Sequence, residues 1–421
     1  MQQHESDDFV VPRGESHTVR DGAKKRKVGR RRRRSKRSNM RVLYDGKIYL
    51  MQAAGGVNRY FANLIARLPA DVTPYLTTCE TRAVNYPAHP NLKIYKYRRF
   101  RPAGLSYRLE KLYFDRVSSG RRYDLAHPTY YTLLSRRELS EYRCPVVVTV
   151  WDMIYELFPD EMDPTGQNAE EKRRAVMAAQ AVICISENTR KDLLERYPVP
   201  ADRVKVTHLA SGIDARISHG PEPVPSQPYF LYVGLRFGYK NFAGLLAALA
   251  KARSSLKHAA LCVVGEPFSA EEKRTIADLG LNDAVEHYGQ ISDAHLAKLY
   301  RLSVAFVYPS LYEGFGIPPL EAMACGTPVV ASKLSSLPEV VGDAGILFDP
   351  ASTADLADIL IALANEPVTR ERLIAKGLER AKMFSWEKTV ATTLEIYREV
   401  SGQSDFSDSQ IVPASLARTA R

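Results

Sequence analysis

Two glutamates separated by seven residues stand out in the segment SLYEGFGIPPLEAMACGTPVVAS, residues 310–332. Glu313 lies in a loop of Gly and Pro, and Glu321 is expected in the first turn of the following helix. The helix dipole favours an ionised carboxylate at that position. An ionised carboxylate only accepts hydrogen bonds, which suits neighbouring hydroxyls such as a ribose diol. Paired carboxylates can also act as the acid and base of glycoside hydrolysis, so both chemistries stay open at this point.

Two cations four residues apart follow a second strand-like run, in YVGLRFGYKNF, residues 232–242. The strand is expected to end at Gly234, and Arg236 and Lys240 precede the next helix. Cations at the carboxyl end of a parallel strand suit a diphosphate. The sequence has no Gly-x-x-x-x-Gly-Lys-Ser/Thr loop, which excludes a Walker-type nucleotide site. A Gly55-Gly56 turn into a helix takes the place of a dinucleotide fingerprint after the first strand.

The elements that must position these residues alternate between apolar strand-like runs and helix-period segments from Arg41 onward. This alternation predicts an α/β fold with two doubly wound α/β/α domains and a ligand in the crevice between their facing strand ends. The predicted boundaries are an N-terminal domain over 40–216, a Pro-rich linker over 217–228 and a second domain over 229–385. A helix over 386–401 is expected to return to the first domain, before a disordered tail over 402–421.

Composition points to a cytoplasmic protein. No apolar run approaches the roughly 18 residues of a membrane span, and the N-terminus is too polar for a signal peptide. The five cysteines are scattered without metal-ligand spacing, which favours free thiols in a reducing compartment and no zinc site.

The net charge of +11 is concentrated in residues 1–39, which hold 13 Lys and Arg against 5 Asp and Glu. Like charges without apolar partners predict a disordered arm. Its alternatives are adhesion to an anionic membrane surface, nucleic-acid binding or nuclear import, and no use at all. Met40 directly precedes the first strand, so the upstream residues are either a functional arm or an untranslated stretch before the true start.

The motifs GGVNRYF, TVWDMIYELFP, ISENTRKDLL and PSLYEGFGIPPLEAMACGTPVVAS, spread over both domains, resemble the retaining glycosyltransferases of family 4, which have the GT-B fold. The family signature of a Glu, seven residues and a Glu matches Glu313 and Glu321, and its Arg and Lys match Arg236 and Lys240. The resemblance implies that Glu321 holds the donor ribose, while Glu313 approaches the transferred sugar. Arg236 and Lys240 would neutralise the departing diphosphate.

The resemblance assigns further contacts around the donor. These are the loop residues Gly314, Phe315, Gly316 and Ile317 for the sugar and phosphates, Gln290 and Ile291 for the base, and Gly55, Gly56, Trp151 and Asp152 on the acceptor and phosphate side. Many relatives carry His where this chain has Trp151, so that position departs from the family pattern.

The implied activity is transfer of a mannosyl or deoxyhexosyl group from a GDP- or UDP-linked donor to a lipid-linked or oligosaccharide acceptor in polysaccharide synthesis. No Asp-x-Asp triplet occurs, and the two cations predict catalysis without a metal or other cofactor. We expect a cytoplasmic enzyme with peripheral contact to the inner membrane face, and no nucleic-acid partner. The alternatives are a sugar-nucleotide epimerase of GT-B fold and a nucleic-acid-binding protein that acts through the basic arm.

Overall fold

The computed structural model describes residues 39–52, 55–80, 86–119, 123–218, 220–256 and 259–402. The predicted basic arm, apart from Asn39, and the predicted tail, apart from Gly402, lie outside the described residues.

The first half of the chain forms a parallel sheet. Its strands are β1 (Met40–Asp45), β2 (Val72–Cys79), β3 (Lys93–Tyr97), β4 (Leu125–Ala126), β5 (Val147–Val150), β6 (Ala181–Cys184) and β7 (Val204–Val206). Four strands run in the order β3-β2-β1-β4 and three in the order β5-β6-β7. A single parallel bridge between Ala126 and Val146 connects the two groups. The order reverses between β1 and β4, which makes a topological switch point.

The second half forms a six-stranded parallel sheet in the order β10-β9-β8-β11-β12-β13. Its strands are β8 (Tyr229–Val233), β9 (Ala260–Val264), β10 (Val285–Tyr288), β11 (Ala305–Tyr308), β12 (Val329–Ser332) and β13 (Ile346–Phe348). Here the order reverses between β8 and β11, so ligands are expected outside the carboxyl ends of these two strands.

Helices lie between the strands of both sheets. Those of the first half are α1 (Ile48–Met51), α2 (Gly56–Ala66), α3 (Ala103–Ser119), α4 (Ile154–Leu157), α5 (Pro159–Met162), α6 (Gln167–Ala178) and α7 (Glu187–Arg196). Those of the second half are α8 (Phe242–Ala252), α9 (Ala270–Asp278), α10 (Asp293–Leu302), α11 (Ile317–Ala324), α12 (Leu337–Val341), α13 (Thr353–Asn365) and α14 (Pro367–Ala381). The predicted pair of doubly wound α/β domains is therefore confirmed.

The last helix, α15 (Trp386–Ser401), packs on elements of the first domain. The Tyr397 hydroxyl lies 3.2 Å from that of Tyr44 in β1 and 2.6 Å from Nδ1 of the buried His127. Burial lowers the pKa of His127 to about 3, so this imidazole is neutral and both its nitrogens are used in hydrogen bonds. The C-terminal helix is thus anchored to the N-terminal sheet by buried polar contacts as well as apolar packing.

None of the helices in the described part of the chain is both long and apolar enough to cross a bilayer.

Candidate active site

Two of the predicted site residues, Lys240 and Glu313, meet at the switch point of the second sheet. Lys240 lies in the turn after β8, and Glu313 lies in the loop after β11. Lys240 Nζ is 2.7 Å from Glu313 Oε1 and 3.5 Å from the hydroxyl of Tyr308 at the end of β11. The two side chains are only 13% and 10% exposed, so their charges interact with little screening by water.

Arg236 follows the same strand as Lys240, β8, but its guanidinium bonds to protein groups. Its Nε is 2.6 Å from Glu272 Oε1, and its Nη2 donates to the carbonyls of Glu266 and Pro267. The guanidinium also lies over the ring of Phe268, 4.9 Å from the ring centroid. Its Nη1 is buried and has no hydrogen-bond partner among the described residues. The hydrogen-bonding capacity of this buried guanidinium nitrogen is therefore unused among the described residues.

The loop that carries Glu313 is held by two serines. The backbone N–H of Glu313 donates to Ser335 Oγ at 2.9 Å, and Ser336 Oγ donates to the carbonyls of Glu313 and Phe315. Gly316 has φ 114°, which L side chains rarely adopt, and it directly precedes α11. These contacts place the backbone of Gly314–Ile317 in a defined conformation at the carboxyl end of β11.

The same loop is in contact with the N-terminal domain through Gly314. A Cβ atom built on Gly314 would lie 1.9 Å from the carbonyl oxygen of Trp151, so only glycine fits there. The carbonyl of Gly314 accepts hydrogen bonds from Ser186 Oγ at 2.7 Å and Thr189 Oγ1 at 3.1 Å. The structure therefore has the two domains closed on the Glu313 loop.

A second cross-domain contact involves Glu339 of α12. Its carboxylate accepts the backbone N–H of Glu187 and Asn188, which open α7, and lies 2.6 Å from His208 Nε2. Burial raises the pKa of Glu339, but the hydrogen bonds from His208 and the two amides outweigh it and leave the pKa below its usual value. This carboxylate stabilises the closed arrangement in its ionised form.

Glu321 does not lie in the first turn of its helix, and the prediction that the dipole keeps it ionised is wrong. Because α11 begins at Ile317, Glu321 is the fifth residue and its side chain is buried, at 6% exposure of the residue. Burial raises the pKa of Glu321 to about 7, against the opposing effect of Arg59. The Tyr300 hydroxyl donates to its Oε2 at 3.3 Å. With this pKa, the Glu321 carboxyl is about half ionised at pH 7. A ligand that donates a hydrogen bond to it would favour the ionised form.

Arg59 is a site residue that the sequence reasoning did not single out. It lies on α2 of the N-terminal domain, and its Nη2 is 2.5 Å from Asp293 Oδ1 of the second domain. Its Nη1 is 4.0 Å from Glu321 Oε1. A cation near the N-terminal end of a helix opposes the helix dipole. In the segment GGVNRYF, an arginine so close to a predicted helix start is unfavourable for the helix. This is the sequence signal that could have indicated a functional role for Arg59.

The Gly55-Gly56 turn reaches the cleft as its position after the first strand suggested. Gly55 is the N-cap of α2, and Gly56 is its first residue. A Cβ atom on Gly56 would be 4.0 Å from Cδ1 of Ile317, the first residue of α11. The N-termini of α2 and α11 therefore face each other across the cleft, and both favour an anion there.

Gln290 and Ile291 follow β10, at the same edge of the second sheet. Gln290 Nε2 donates to Glu266 Oε1 at 3.1 Å, and Ile291 packs against the main apolar core. Gln290 and Ile291 therefore lie at the carboxyl ends of the strands, the same edge of the sheet as Lys240 and Glu313.

Trp151 and Asp152 form the turn after β5. The Trp151 ring packs edge-on against Tyr60, with centroids 5.0 Å apart, and against Phe61. Lys172, which is fully buried, donates to the Asp152 carbonyl at 2.9 Å and to Glu156 at 2.8 Å. This buried ion pair fixes the turn whose Trp151 carbonyl contacts Gly314.

Across the described residues, no three or more His, Cys, Asp or Glu side chains cluster in a way that could hold a metal ion.

The fold and this arrangement define a two-domain enzyme whose cleft is lined by paired carboxylates and cations. The family models for "Glycosyltransferase Family 4" and "Glycosyl transferases group 1" match residues 54–216 and 216–380. The O-antigen chain mannosyltransferase B of Escherichia coli is 30% identical over 318 residues, which cover 73% of this chain and 80% of the relative. The MMP alpha-(1->4)-mannosyltransferase of Mycolicibacterium hassiacum is 32% identical over 235 residues, 55% of this chain and 56% of that one.

Among solved structures, the sucrose-phosphate synthase of Thermosynechococcus elongatus has a TM-score of 0.68 at 21% identity, covering 86% of this chain and 99% of that one. This likeness concerns the GT-B fold. The chain belongs to glycosyltransferase family 4, carries a group 1 glycosyl transferase domain in its second half, and is a glycosyltransferase.

Proposed function

We propose that the enzyme transfers a hexose, of the mannosyl or deoxyhexosyl type, from a GDP- or UDP-linked donor with retention of anomeric configuration. The acceptor is a lipid-linked or growing oligosaccharide in cell-surface polysaccharide synthesis. The similarity to the mannosyltransferases of Escherichia coli and Mycolicibacterium hassiacum supports the choice of sugar. The observation that carries the proposal is the Lys240–Glu313 pair at the switch point of the second sheet, with Arg236 after the same strand, β8.

Bond breakage between the anomeric carbon and the β-phosphate oxygen places negative charge on the leaving diphosphate. Lys240 can turn from Glu313 to that phosphate, and Arg236, held by Glu272 after the same strand, adds a second positive charge. The opposed N-termini of α2 and α11 add two positive dipole ends. These groups supply the electrostatic stabilisation that a metal ion supplies elsewhere, so we infer a metal-independent reaction that needs no cofactor.

The acceptor oxygen attacks the face that the diphosphate leaves. Its bond to the anomeric carbon forms as the phosphate ester bond breaks, and its proton passes to the departing phosphate oxygen. Glu313 contacts the transferred sugar, and Glu321 accepts the ribose hydroxyls. Domain closure on Gly314 excludes water that would otherwise hydrolyse the donor.

The test is a panel of GDP- and UDP-sugars, screened first by thermal shift and then by product analysis with and without a mannosyl oligosaccharide acceptor. We expect acceptor-dependent release of the nucleoside diphosphate, an α product from an α-linked donor by NMR, and unchanged rates in EDTA. Interconversion of the donor sugar without acceptor would instead identify an epimerase. Loss of activity in EDTA, restored by manganese or magnesium, would contradict the metal-free mechanism.

A further inference from the structure

The N-terminal sheet has its own switch point, between β1 and β4, and a cavity of about 260 Å³ opens there. One wall comes from Lys47, which follows β1, and the other from the loop after β4, which includes Tyr131 and Arg136. Crevices at the carboxyl ends of parallel strands, where the strand order reverses, are the expected ligand sites of such sheets. The donor residues described above use the equivalent crevice of the other domain.

Four cations and two carboxylates line this N-terminal cavity: Lys47, Arg136, Arg137, Arg174, Glu138 and Glu171. Two of the cations are engaged, because Arg174 pairs with Glu138 at 2.6 Å and Arg137 pairs with Asp115 at 3.0 Å. Lys47 and Arg136 form no ion pair with a carboxylate among the described residues. Among the described residues, the cavity therefore carries two positive charges outside any ion pair, on Lys47 and Arg136, beside the carboxylate of Glu171, which also forms none.

The loop that carries Arg136 is held by hydrogen bonds to the end of β1. The carboxylate of Asp45, at the end of β1, accepts the backbone N–H of Leu134 at 3.1 and 3.2 Å. The Arg136 guanidinium lies 5.2 Å from the ring centroid of Tyr107 on α3. This cation–π contact orients the guanidinium and leaves its N–H groups free of carboxylates. A guanidinium held by stacking and free of carboxylates suits the two oxygens of a phosphate group.

The cavity lies next to the catalytic cleft. Tyr131 lines the cavity, and its hydroxyl is 3.4 Å from the backbone nitrogen of Trp151. The carbonyl of the same Trp151 contacts Gly314 of the Glu313 loop. A ligand in the cavity would thus lie on the N-terminal domain. Only the turn that contains Trp151 would separate it from the loop that carries Glu313.

We propose that this cavity is an acceptor subsite that binds a phosphate or pyrophosphate group through Lys47 and Arg136. The inference rests on the proposed function, since it names a chemical class for the acceptor. Two sources of that group fit: the pyrophosphate of a lipid-linked glycan or a phosphate on a soluble glycan. The exposed side chains of Leu105, Leu109 and Leu112 on α3, the helix that carries Tyr107, make the lipid source worth testing.

The test is a ³¹P NMR titration of the full chain with inorganic pyrophosphate. The wild type should bind at two sites, one at Lys240 and one at the cavity. Lys47→Ala/Arg136→Ala should weaken the cavity site about 10- to 100-fold and leave the other, while Lys240→Ala should do the reverse. Arg98→Ala, an arginine of the same domain whose side chain is 86% exposed and outside the cavity, is the matched control.

Unchanged binding in Lys47→Ala/Arg136→Ala would overturn the subsite and leave the donor site standing. Conversely, absence of the Lys240-dependent site would overturn the proposed function without touching the cavity. Competition by farnesyl pyrophosphate that is tighter than that of inorganic pyrophosphate would identify the lipid-linked source. Equal competition would identify a phosphate on a soluble glycan.

Steady-state kinetics give a second test. Arg136→Ala should raise KM for a phosphorylated acceptor and leave kcat and the donor KM unchanged, and the KM of Arg136→Lys should lie between those of the wild type and Arg136→Ala.

Discussion

Arg59 and Glu321 face each other across the cleft, with 4.0 Å between Nη1 and Oε1, although they belong to different domains. Glu321 is buried and Arg59 is half exposed, so the cation approaches from the solvent side of the cleft. The pair links the residue assigned to the donor ribose with the closed arrangement of the two domains. Donor binding and closure should therefore be coupled.

Replacing Arg59 tests that coupling. Arg59→Ala should lower kcat/KM for the donor about 10-fold, because it removes the nearby charge that favours the ionised form of Glu321. Arg59→Lys should retain most of the activity. Lys191→Ala, an exposed lysine on α7, is the control and should match the wild type. Equal kcat/KM in wild type and Arg59→Ala would remove Arg59 from the site.

Lys240 should matter more for turnover than for binding. Lys240→Ala should lower kcat about 10²- to 10³-fold with a smaller change in donor affinity, since the charge on the phosphate grows toward the transition state. Lys251→Ala on the following helix is the control. Because Lys240→Ala leaves Glu313 buried without its partner, the double variant Lys240→Met/Glu313→Gln serves to separate folding from catalysis. A fall in affinity as large as the fall in kcat would contradict this role.

Glu321 should make stability depend on pH. Its pKa is about 7 in the folded protein, above the usual carboxyl value near 4.5, so the folded state holds the proton between these two values. The contribution of Glu321 to stability is then largest below about pH 4.5 and is lost as the pH rises through 7. Glu321→Gln should raise Tm at pH 8 by about 2–8 °C and change it little at pH 4.5.

The same substitution should weaken nucleotide binding, because an amide cannot replace an ionised acceptor for two hydroxyls. Nucleoside diphosphate titrations at pH 8 measure this. A variant that gains stability while it keeps full nucleotide affinity would show that Glu321 is not the ribose ligand.

Gly314 should tolerate no side chain. In Gly314→Ala the new Cβ would overlap the Trp151 carbonyl, so either the loop or the domain closure must shift. We expect kcat/KM to fall about 100-fold with nucleotide affinity changed only a few-fold. Gly104→Ala, where a Cβ meets nothing within 4 Å, is the control. Full activity in Gly314→Ala would mean that the closed contact is not used in turnover.

Trp151 is expected to shape donor preference. Its indole has one donor and no acceptor, so it cannot act as a base, and an apolar wall at this position favours a sugar without a 6-hydroxyl. Trp151→His should stay active and shift kcat/KM toward mannose over its 6-deoxy counterpart. If that ratio does not move, the ring serves only its packing against Tyr60 and Phe61.

The sequence alone determined the two α/β domains and the family, because both rest on local patterns. Alternating apolar runs specify strands and helices, and Gly314, Gly316 and the two glutamates are close in the chain. Arg236 and Lys240 were predicted as site residues for the same reason, since both follow the end of one strand, β8, that the sequence pattern indicates.

Tertiary structure alone decided the ionisation of Glu321, the part played by Arg59 and the cavity between Lys47 and Arg136. The pKa of Glu321 depends on burial by residues distant in sequence, and its helix begins one residue before the two prolines that marked it. Arg59 and Glu321 are more than 250 residues apart, so only the docking of one domain on the other brings them together. A local pattern carries no information about which charges face each other across a cleft, because that depends on how whole sheets pack.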